Sequence, residues 1–309
     1  MRVIVLGGDG QLGADVVRAF EANGDDVFPL THTDIEIATI ESVPSIFTEL
    51  QPELLVNTAA MHHVEQCELH PDQAFAVNAL GVRKLALAAR EIGAVLMHIS
   101  TDYVFDGAKG WPYSETDAPR PLSVYGNSKL AGEYFVRSTL ARHFVLRTSA
   151  LYGKQPCRAK GGLNFVQLML KLAKERGAVR VVDDEFVTPT STEELARQMV
   201  ALSRSEAYGL YHGTADGECS WFEFAREIFA LTHTEVTLTA AGPNEFPAKV
   251  SRPKYAVLEN RGLKLLGLNT FGPWQDGLRE YLGISPLKES NTDDSVRDHY
   301  TGAGRRTAY

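Results

Sequence analysis

The sequence has few cysteines, no long apolar run and no excess of basic charge. Its three cysteines, Cys67, Cys157 and Cys219, are odd in number and widely spaced, which offers no disulfide framework and suits a reducing compartment. Its apolar runs, such as VIVL and LLVN, are far shorter than the ~20 residues that span a bilayer. A net charge of -8 argues against nucleic acid as a partner, because phosphate neutralisation needs a basic face.

The N-terminal stretch MRVIVLGGDG passes from a predicted strand straight into glycines and lacks the layout of a signal peptide. The 309 residues are 44% hydrophobic and 23% charged, which is typical of a globular protein with room for a large core and a smaller lobe. We therefore expect a cytoplasmic protein that binds neither a membrane nor nucleic acid.

Short apolar segments alternate with amphipathic helical segments over residues 1–150. Near-continuous apolar strands separated by helices predict a doubly wound parallel sheet, that is, a Rossmann-like α/β fold. The alternation weakens afterwards, so residues 151–285 are expected to form a smaller C-terminal substrate-binding lobe, partly interleaved with the sheet. Residues 286–309 are polar and predict a tail.

The stretch GGDGQLG follows the first predicted strand and spaces Gly7, Gly10 and Gly13 three residues apart. Glycines at this place let the backbone approach a pyrophosphate, whose charge the following helix N-terminus attracts. The strand context favours a dinucleotide site over a glycine-rich turn without a ligand. The second strand ends at Thr31 and His32 with Asp34 beyond, and the lack of an acid at its tip favours NADPH while leaving NADH open.

The stretch VYGNSK places Tyr125 and Lys129 four residues apart, on one face of a predicted helix. A lysine close to a phenol stabilises the phenolate, which lets tyrosine exchange a proton near neutral pH. Such a pair also occurs by chance on exposed helices, so the spacing alone leaves both interpretations open.

Longer motifs decide between them. STDYVFDG, PYSETDAPRPLSVYGNSKLAGE, AFAVNALG, TPTS and RPKYAVL occur in this order, and over about residues 1–285 the chain resembles the extended short-chain dehydrogenases, most of all the dTDP-4-dehydrorhamnose reductase family. The resemblance implies Thr101, Tyr125 and Lys129 as catalytic residues. Tyr125 would protonate the reduced C4 ketone of a sugar, Lys129 would lower the phenol pKa and bind the nicotinamide ribose, and Thr101 would donate to the substrate oxygen.

The resemblance also implies the binding residues. Those for the cofactor are Gly7, Gly10, Gln11, Leu12, Gly13, Glu36, Ile37, Thr58, Ala59, Ala60, Tyr125 and Lys129. Those for the nucleotide sugar are Asp102, Tyr103, Phe105, Asn164 and Arg252. Arg252 could meet the diphosphate, although a surface ion pair is the alternative. Two positions depart from the family pattern: Glu36 replaces an aspartate, and Ala150 stands where many members have tryptophan.

Metal-binding residue types crowd the stretch MHHVEQCELH, namely His62, His63, Glu65, Cys67, Glu68 and His70. Their spacing fits no closed tetrahedral site, so no metal is predicted.

Two rival functions remain open at this stage. One is an NADP-binding regulatory subunit like the β subunit of methionine adenosyltransferase, and the other is a nucleotide-sugar epimerase or dehydratase. Dehydratases usually have Glu after Thr-Asp, where this chain has Tyr103, so reduction is preferred. A homodimer is left open.

Overall fold

The computed structural model describes residues 1–157, 161–242, 245 and 249–284. The strands in chain order are β1 Arg2–Leu6, β2 Asp26–Leu30, β3 Leu54–Asn57, β4 Val95–Thr101, β5 His143–Thr148, β6 Leu151–Tyr152, β7 Ala178–Val182, β8 Phe186–Val187, β9 Thr190–Ser191, β10 Gly209–His212, β11 Cys219–Ser220 and β12 Thr237–Ala241. The α-helices are α1 Gln11–Ala22, α2 Ser45–Leu50, α3 Val64–Leu69, α4 Pro71–Phe75, α5 Val82–Ile92, α6 Val124–Thr139, α7 Phe165–Arg176, α8 Thr192–Ser203, α9 Trp221–Leu231, α10 Arg261–Leu265 and α11 Trp274–Tyr281.

A six-stranded parallel sheet in the order β10-β5-β4-β3-β1-β2 forms the centre of the molecule. The strand order reverses between β1 and β3, and ligands bind at this kind of switch point in open parallel sheets. Pro29 lies in β2 at the sheet edge, where its missing N–H costs no ladder hydrogen bond inside the sheet.

Alternating side chains of each central strand supply two cores. Val3 and Val5 of β1 pack with α1 and α8, whereas Ile4 and Leu6 pack with α5 and α6 on the opposite face. This period of two, with both faces apolar, is the pattern of a sheet covered on both sides. The predicted doubly wound α/β fold is therefore confirmed.

A third core lies in the C-terminal half, where α7, α9 and α11 pack together beside the two-stranded sheet of β7 and β12. The strand predicted for RVVDDEF is divided, because Asp183 and Asp184 form a bend between β7 and β8. Elements beyond residue 150 also join the central layers, since β10 pairs with β5 and α8 packs on α1. The domain limits at residues 150 and 285 stay a prediction.

The polar tail predicted over residues 286–309 lies outside the described residues. Within the described ranges, no helix combines the length and the apolar character needed to span a bilayer.

Candidate active site

One cavity of about 800 Å³ opens along the carboxyl ends of the central strands. Its wall is formed by the loop after β1, the ends of β2, β3 and β4, the start of α6, and segments of the C-terminal lobe around Glu185, Trp221 and Arg252. A cavity of this size, at the switch point of a parallel sheet, is large enough for a dinucleotide or a nucleotide sugar to bury much of its surface.

The glycine loop lies at one end of this cavity, and Gly7, Gly10, Gln11, Leu12 and Gly13 all line it. Gly7 has φ +76°, and a Cβ there would lie 2.9 Å from the Thr58 hydroxyl oxygen, so the turn requires glycine. A Cβ on Gly13 would overlap the carbonyl oxygen of Gly7. The first turn of α1 contains no acid, which leaves its N-terminal N–H groups suited to an anion. The loop thus fits a pyrophosphate.

The tips of β2 and β3 form the adjoining wall. Thr31 and His32 line the cavity as predicted, but the Asp34 carboxylate accepts hydrogen bonds from the Thr31 N–H and hydroxyl, both at 2.7 Å. An acid is therefore held directly behind the tip, which the sequence spacing did not indicate. The same hydrogen bonds, first the one from the Thr31 backbone, lower the pKa of Asp34.

Glu36 and Ile37 also line this part of the cavity, beside Thr58, Ala59 and Ala60. The Glu36 carboxylate accepts from the N–H of Ala38 at 3.1 Å and so caps the short 3₁₀ turn that follows. The Thr58 hydroxyl donates to the carbonyl of Leu6 at 2.7 Å and ties the ends of β1 and β3 together. The structure thus brings every predicted cofactor residue to one cavity.

Helix α6 carries the Tyr–Lys pair, and two side chains fix where this helix begins. Ser123 accepts from the N–H of Gly126 at 3.2 Å, and Glu68 of α3 accepts from the N–H of Val124 at 2.8 Å. Tyr125 and Lys129 both face the cavity one turn apart. The predicted helix and the predicted shared face are confirmed.

Thr101, the last residue of β4, lies beside Tyr125 in a short hydrogen-bond chain. The phenol of Tyr125 hydrogen-bonds Thr101, and the Thr101 hydroxyl donates to Asp102 Oδ1 at 2.7 Å. Ser149 donates to the other Asp102 oxygen, also at 2.7 Å. In this structure the single proton of Thr101 is thus directed to Asp102, and its donation to substrate stays a prediction.

Burial dominates the protonation of Tyr125 and Lys129. It raises the pKa of Tyr125 above its ordinary value, and the hydrogen bond with Thr101 opposes that shift. Burial lowers the pKa of Lys129 to about 8, although the charge of Glu133 acts in the opposite direction. The Lys129 amine donates to the carbonyl of Ile99 at 2.6 Å, and the lowering of the phenol pKa by its charge stays a prediction.

On the substrate side, the ring of Tyr103 meets that of Tyr125 edge to face with centroids 5.7 Å apart. Arg252 lines the cavity and forms an ion pair with Glu65, while its buried Nε has no hydrogen-bond partner among the described residues. Arg252 is therefore a half-buried cation on the cavity wall and not a surface residue. It retains a donor for an anionic ligand.

Two residues predicted to bind substrate do not line the cavity. Phe105 is fully buried, with its ring stacked on Tyr113 at 4.2 Å between centroids. Asn164 is also buried and caps α7, with its amide donating to the carbonyl of Gly153 and to the hydroxyl of Tyr281. In this structure the two motifs shape the fold around the site, and direct contact of these two side chains with substrate stays a prediction.

The crowded stretch of histidines and acids is dispersed. His62 and His63 line the cavity, Cys67 is buried with its sulfur directed at the carbonyl of Met61, and His70 precedes α4. Burial raises the pKa of the Cys67 thiol to about 11, which opposes metal binding as a thiolate. Among the described residues, no three His, Cys, Asp or Glu side chains are placed to hold a metal ion.

Several buried polar residues next to the site are not among the predicted site residues, namely Asn57, His98, Glu133, Arg147 and Ser149. The available signal was a polar residue inside an apolar strand, as for His98 in LMHIS. Buried polar side chains need partners, so each such residue indicates a second polar group nearby.

A glycine loop, a Tyr–Lys helix and a strand-end threonine around one cavity of a doubly wound sheet define an oxidoreductase of the extended short-chain dehydrogenase class. The family described as the RmlD substrate binding domain matches residues 1–285. The spore coat polysaccharide biosynthesis protein SpsK of Bacillus subtilis is 40% identical over 281 residues, which cover 91% of this chain and 96% of SpsK.

Two solved structures are similar over their whole length. The dTDP-4-dehydrorhamnose reductase of Clostridium acetobutylicum has 38% identity and a TM-score of 0.87, covering 92% of this chain and 99% of the other. The Bacillus anthracis enzyme of the same name, solved in complex with NADP, has 37% identity and a TM-score of 0.86, covering 91% and 98%. This chain belongs to the dTDP-4-dehydrorhamnose reductase family, as its motifs predicted.

Proposed function

We propose that the protein reduces the C4 ketone of a dTDP-linked 4-keto-6-deoxy sugar with NADPH, forming a product of the dTDP-rhamnose type for polysaccharide biosynthesis. The observation that carries this proposal is the meeting of Thr101, Tyr125 and Lys129 with the glycine loop in one cavity. The names of the family members, and the NADP in one of their structures, support the substrate class and the cofactor.

The cofactor, when bound, supplies the hydride that reduces the ketone. The phenol of Tyr125 donates its proton to the former carbonyl oxygen. Because the Thr101 proton is held by Asp102, the Thr101 oxygen accepts from Tyr125 before substrate binds and orients the phenol at the cavity wall. The phenol O–H then turns from Thr101 to the ketone oxygen when the substrate is in place. The charged form of Lys129 stabilises the phenolate that Tyr125 leaves behind.

The cavity offers the substrate a cationic wall in a protein of net charge -8. Arg252 lines the cavity together with Tyr103, and its guanidinium suits a phosphate oxygen. Glu65 must release or share Arg252 when a diphosphate binds, because the two now form an ion pair.

The rival functions are less well supported. A regulatory subunit has no need of an ordered Tyr125–Thr101–Asp102 chain beside the cofactor loop. A dehydratase needs a free acid near the sugar, and the carboxylate next to Tyr125 here is Asp102, which is buried and accepts from Thr101 and Ser149. Reduction therefore accounts best for the site.

The proposal includes a homodimer in the cytoplasm. Four large apolar side chains, Leu69, Phe75, Leu80 and Tyr134, are 67%, 37%, 51% and 52% exposed on a layer of mutually packed helices. Such a layer is a candidate interface. All three cysteines are free, which supports a reducing compartment. Sedimentation of the wild type and of Leu80→Lys tests the dimer, which should dissociate in the variant.

The decisive experiment follows NADPH absorbance with a panel of nucleotide-linked 4-keto-6-deoxy sugars. Tyr125→Phe should lower turnover by ~10²–10⁴-fold with nearly intact NADPH binding, because only the proton donor is lost. Tyr134→Phe, an exposed tyrosine of the same helix, is the matched control and should leave turnover unchanged. Turnover of Tyr125→Phe at the level of this control would remove Tyr125 from the reaction.

A further inference from the structure

A chain of three buried polar side chains lies behind the cavity and ends on the catalytic lysine. Asn57 at the end of β3 contacts His98 of β4 with 3.0 Å between Nδ2 and Nδ1. His98 Nε2 lies 3.3 Å from Nζ of Lys129 on α6. None of the three side chains is more than 2% exposed, so each proton among them needs a defined donor and acceptor.

The orientation of the Asn57 amide is fixed by its other contact. The N–H of Ala59 donates to Asn57 Oδ1 at 3.1 Å, and a backbone N–H can only donate. The amide nitrogen must then face His98, where it donates to Nδ1. His98 Nδ1 is therefore an acceptor and carries no proton.

This contact selects the tautomer of His98. Burial, followed by the charge of Lys129, lowers the pKa of His98 well below its ordinary value, so the imidazole is neutral and has one proton. With Nδ1 unprotonated, that proton is on Nε2 and points at Lys129 Nζ. An Nε2–H group can donate to the lone pair of an uncharged amine. An ammonium has no lone pair, so the Nε2–H group and the ammonium would be two donors facing each other.

We propose that His98 is a positioning residue whose tautomer is linked to the charge of Lys129: His98 donates from Nε2 to the uncharged amine, and its proton is on Nδ1 when Lys129 is charged. In the second state Nε2 accepts from the ammonium. Asn57 must then turn its oxygen toward Nδ1–H, which takes that oxygen away from the N–H of Ala59. The Nε2 proton passes to the Lys129 amine and a proton from solvent is taken up at Nδ1, so one proton enters in total and His98 has one in each state.

The link reaches the cofactor wall, because Ala59 lines the cavity beside the glycine loop. The other charged groups that face Lys129 are on α6 and β5. The charge of Glu133 favours the ammonium, and Arg147 pairs with Glu133. The Ile99 carbonyl accepts from Nζ in either state. His98 and Asn57 therefore favour the uncharged form of Lys129, whereas Glu133 favours the ammonium.

The proposal rests on the proposed function only for its effect on the pH dependence of kcat. The first test of the proposal does not require enzymatic turnover. Long-range ¹H–¹⁵N spectra of the protein with labelled histidine distinguish protonated from unprotonated ring nitrogens, and His98→Gln identifies the His98 signals among the nine histidines. We expect the Nε2–H form at pH 9.5 and a change to Nδ1–H as the pH falls through the pKa of Lys129. A tautomer that stays the same from pH 6 to 9.5 would overturn the proposal.

The second test uses Asn57→Leu, which removes the donor to Nδ1 and keeps His98. Neither tautomer of His98 then has a partner at Nδ1, so the selection of the Nε2–H form is lost and the ammonium is favoured. We expect kcat to decline at alkaline pH as Lys129 loses the charge that stabilises the phenolate, and this decline should move up by about one pH unit in the variant, the equivalent of one hydrogen bond. Asn260→Leu is the control, because Asn260 is an equally buried amide that does not line the cavity. A decline unmoved in Asn57→Leu contradicts the link, whereas absence of any reductase activity in the wild type contradicts only the proposed function.

Discussion

The guanidinium of Arg147 on β5 forms two hydrogen bonds with the carboxylate of Glu133 on α6, at 2.8 and 2.6 Å, and neither side chain is more than 2% exposed. Ser100 of β4 donates to the same carboxylate at 2.6 Å. This pair fastens α6 to the sheet two turns beyond Tyr125 and one turn beyond Lys129. The position of α6 thus depends on a buried charge pair in addition to apolar packing.

Removing one charge of this pair should be costly. Glu133→Gln leaves the Arg147 guanidinium buried without a counter-charge, and breaking such a pair costs about 3–5 kcal/mol of unfolding free energy. The exposed pair of Lys171 and Glu175 provides a control, since Glu175→Gln should cost about 0–1 kcal/mol. Urea unfolding measures both. Equal losses in the two variants would show that the buried pair contributes no more than a surface one.

The sequence predicted the sheet correctly because the central strands are apolar on both faces and the helices between them are amphipathic. It predicted that the glycine loop and the ends of β2 and β3 lie together, because glycines and strand ends occupy fixed places in this fold, and residues of these segments line one cavity. It could not predict that Asp34 folds back onto Thr31, since a side chain of an exposed loop is oriented by local hydrogen bonds and not by hydrophobic pattern.

On the substrate side, contact of two motif residues with the ligand stays a prediction. Phe105 and Asn164 belong to motifs of the site, yet their side chains face a core and a helix cap. A motif residue can serve the fold as well as the ligand, and only its surroundings distinguish the two. The sequence did not predict the contact between His98 and Asn57 for the same reason, because this contact joins β3 and β4 and is visible only in the fold.

The close packing of the glycine loop predicts that one added methyl group will weaken cofactor binding. Gly13→Ala places a Cβ against the carbonyl oxygen of Gly7, so the loop must shift and NADPH affinity should fall at least ~10-fold. Gly272→Ala is the matched control, because its Cβ would have Asp276 as its nearest neighbour at 3.8 Å. Fluorescence titration with NADPH compares the two. An affinity of Gly13→Ala equal to that of the control would count against the assigned loop.

The fall of kcat at low pH, here called the acid limb, should result from protonation of Asp102. Burial raises the pKa of this carboxyl to about 6, and the hydrogen bonds from Ser149 and Thr101 oppose the shift. Above that pH the ionised carboxylate accepts from Thr101, whereas below it the carboxyl has a proton and can donate to Thr101 instead. The phenol of Tyr125 then loses its ordered acceptor, so kcat should fall as the pH is lowered through about 6.

The matching variant is Asp102→Asn, which cannot ionise. Its amide accepts from one of the two hydroxyls and opposes the other with a donor, so kcat at pH 8 should be lower and the acid limb near pH 6 should be absent. Ser149→Ala keeps the carboxylate and should retain the limb. An acid limb of unchanged position in Asp102→Asn would assign it to another group.

Cofactor preference should respond to the tip of β2. Thr31 lines the cavity, and its N–H and hydroxyl both donate to Asp34, which holds that carboxylate behind the tip. Thr31→Asp removes the hydroxyl and adds a carboxylate at the cavity wall, where it can bond the ribose of NADH and repel the 2′-phosphate of NADPH. We expect the ratio of kcat/KM for NADPH over NADH to fall by roughly 5–150-fold, equivalent to about 1–3 kcal/mol.

Asp34→Asn is the companion variant, which removes the existing negative charge and should shift the ratio toward NADPH. A wild-type protein that rejects NADPH, or a ratio that rises in Thr31→Asp, would show that the adenosine ribose does not lie at this strand end.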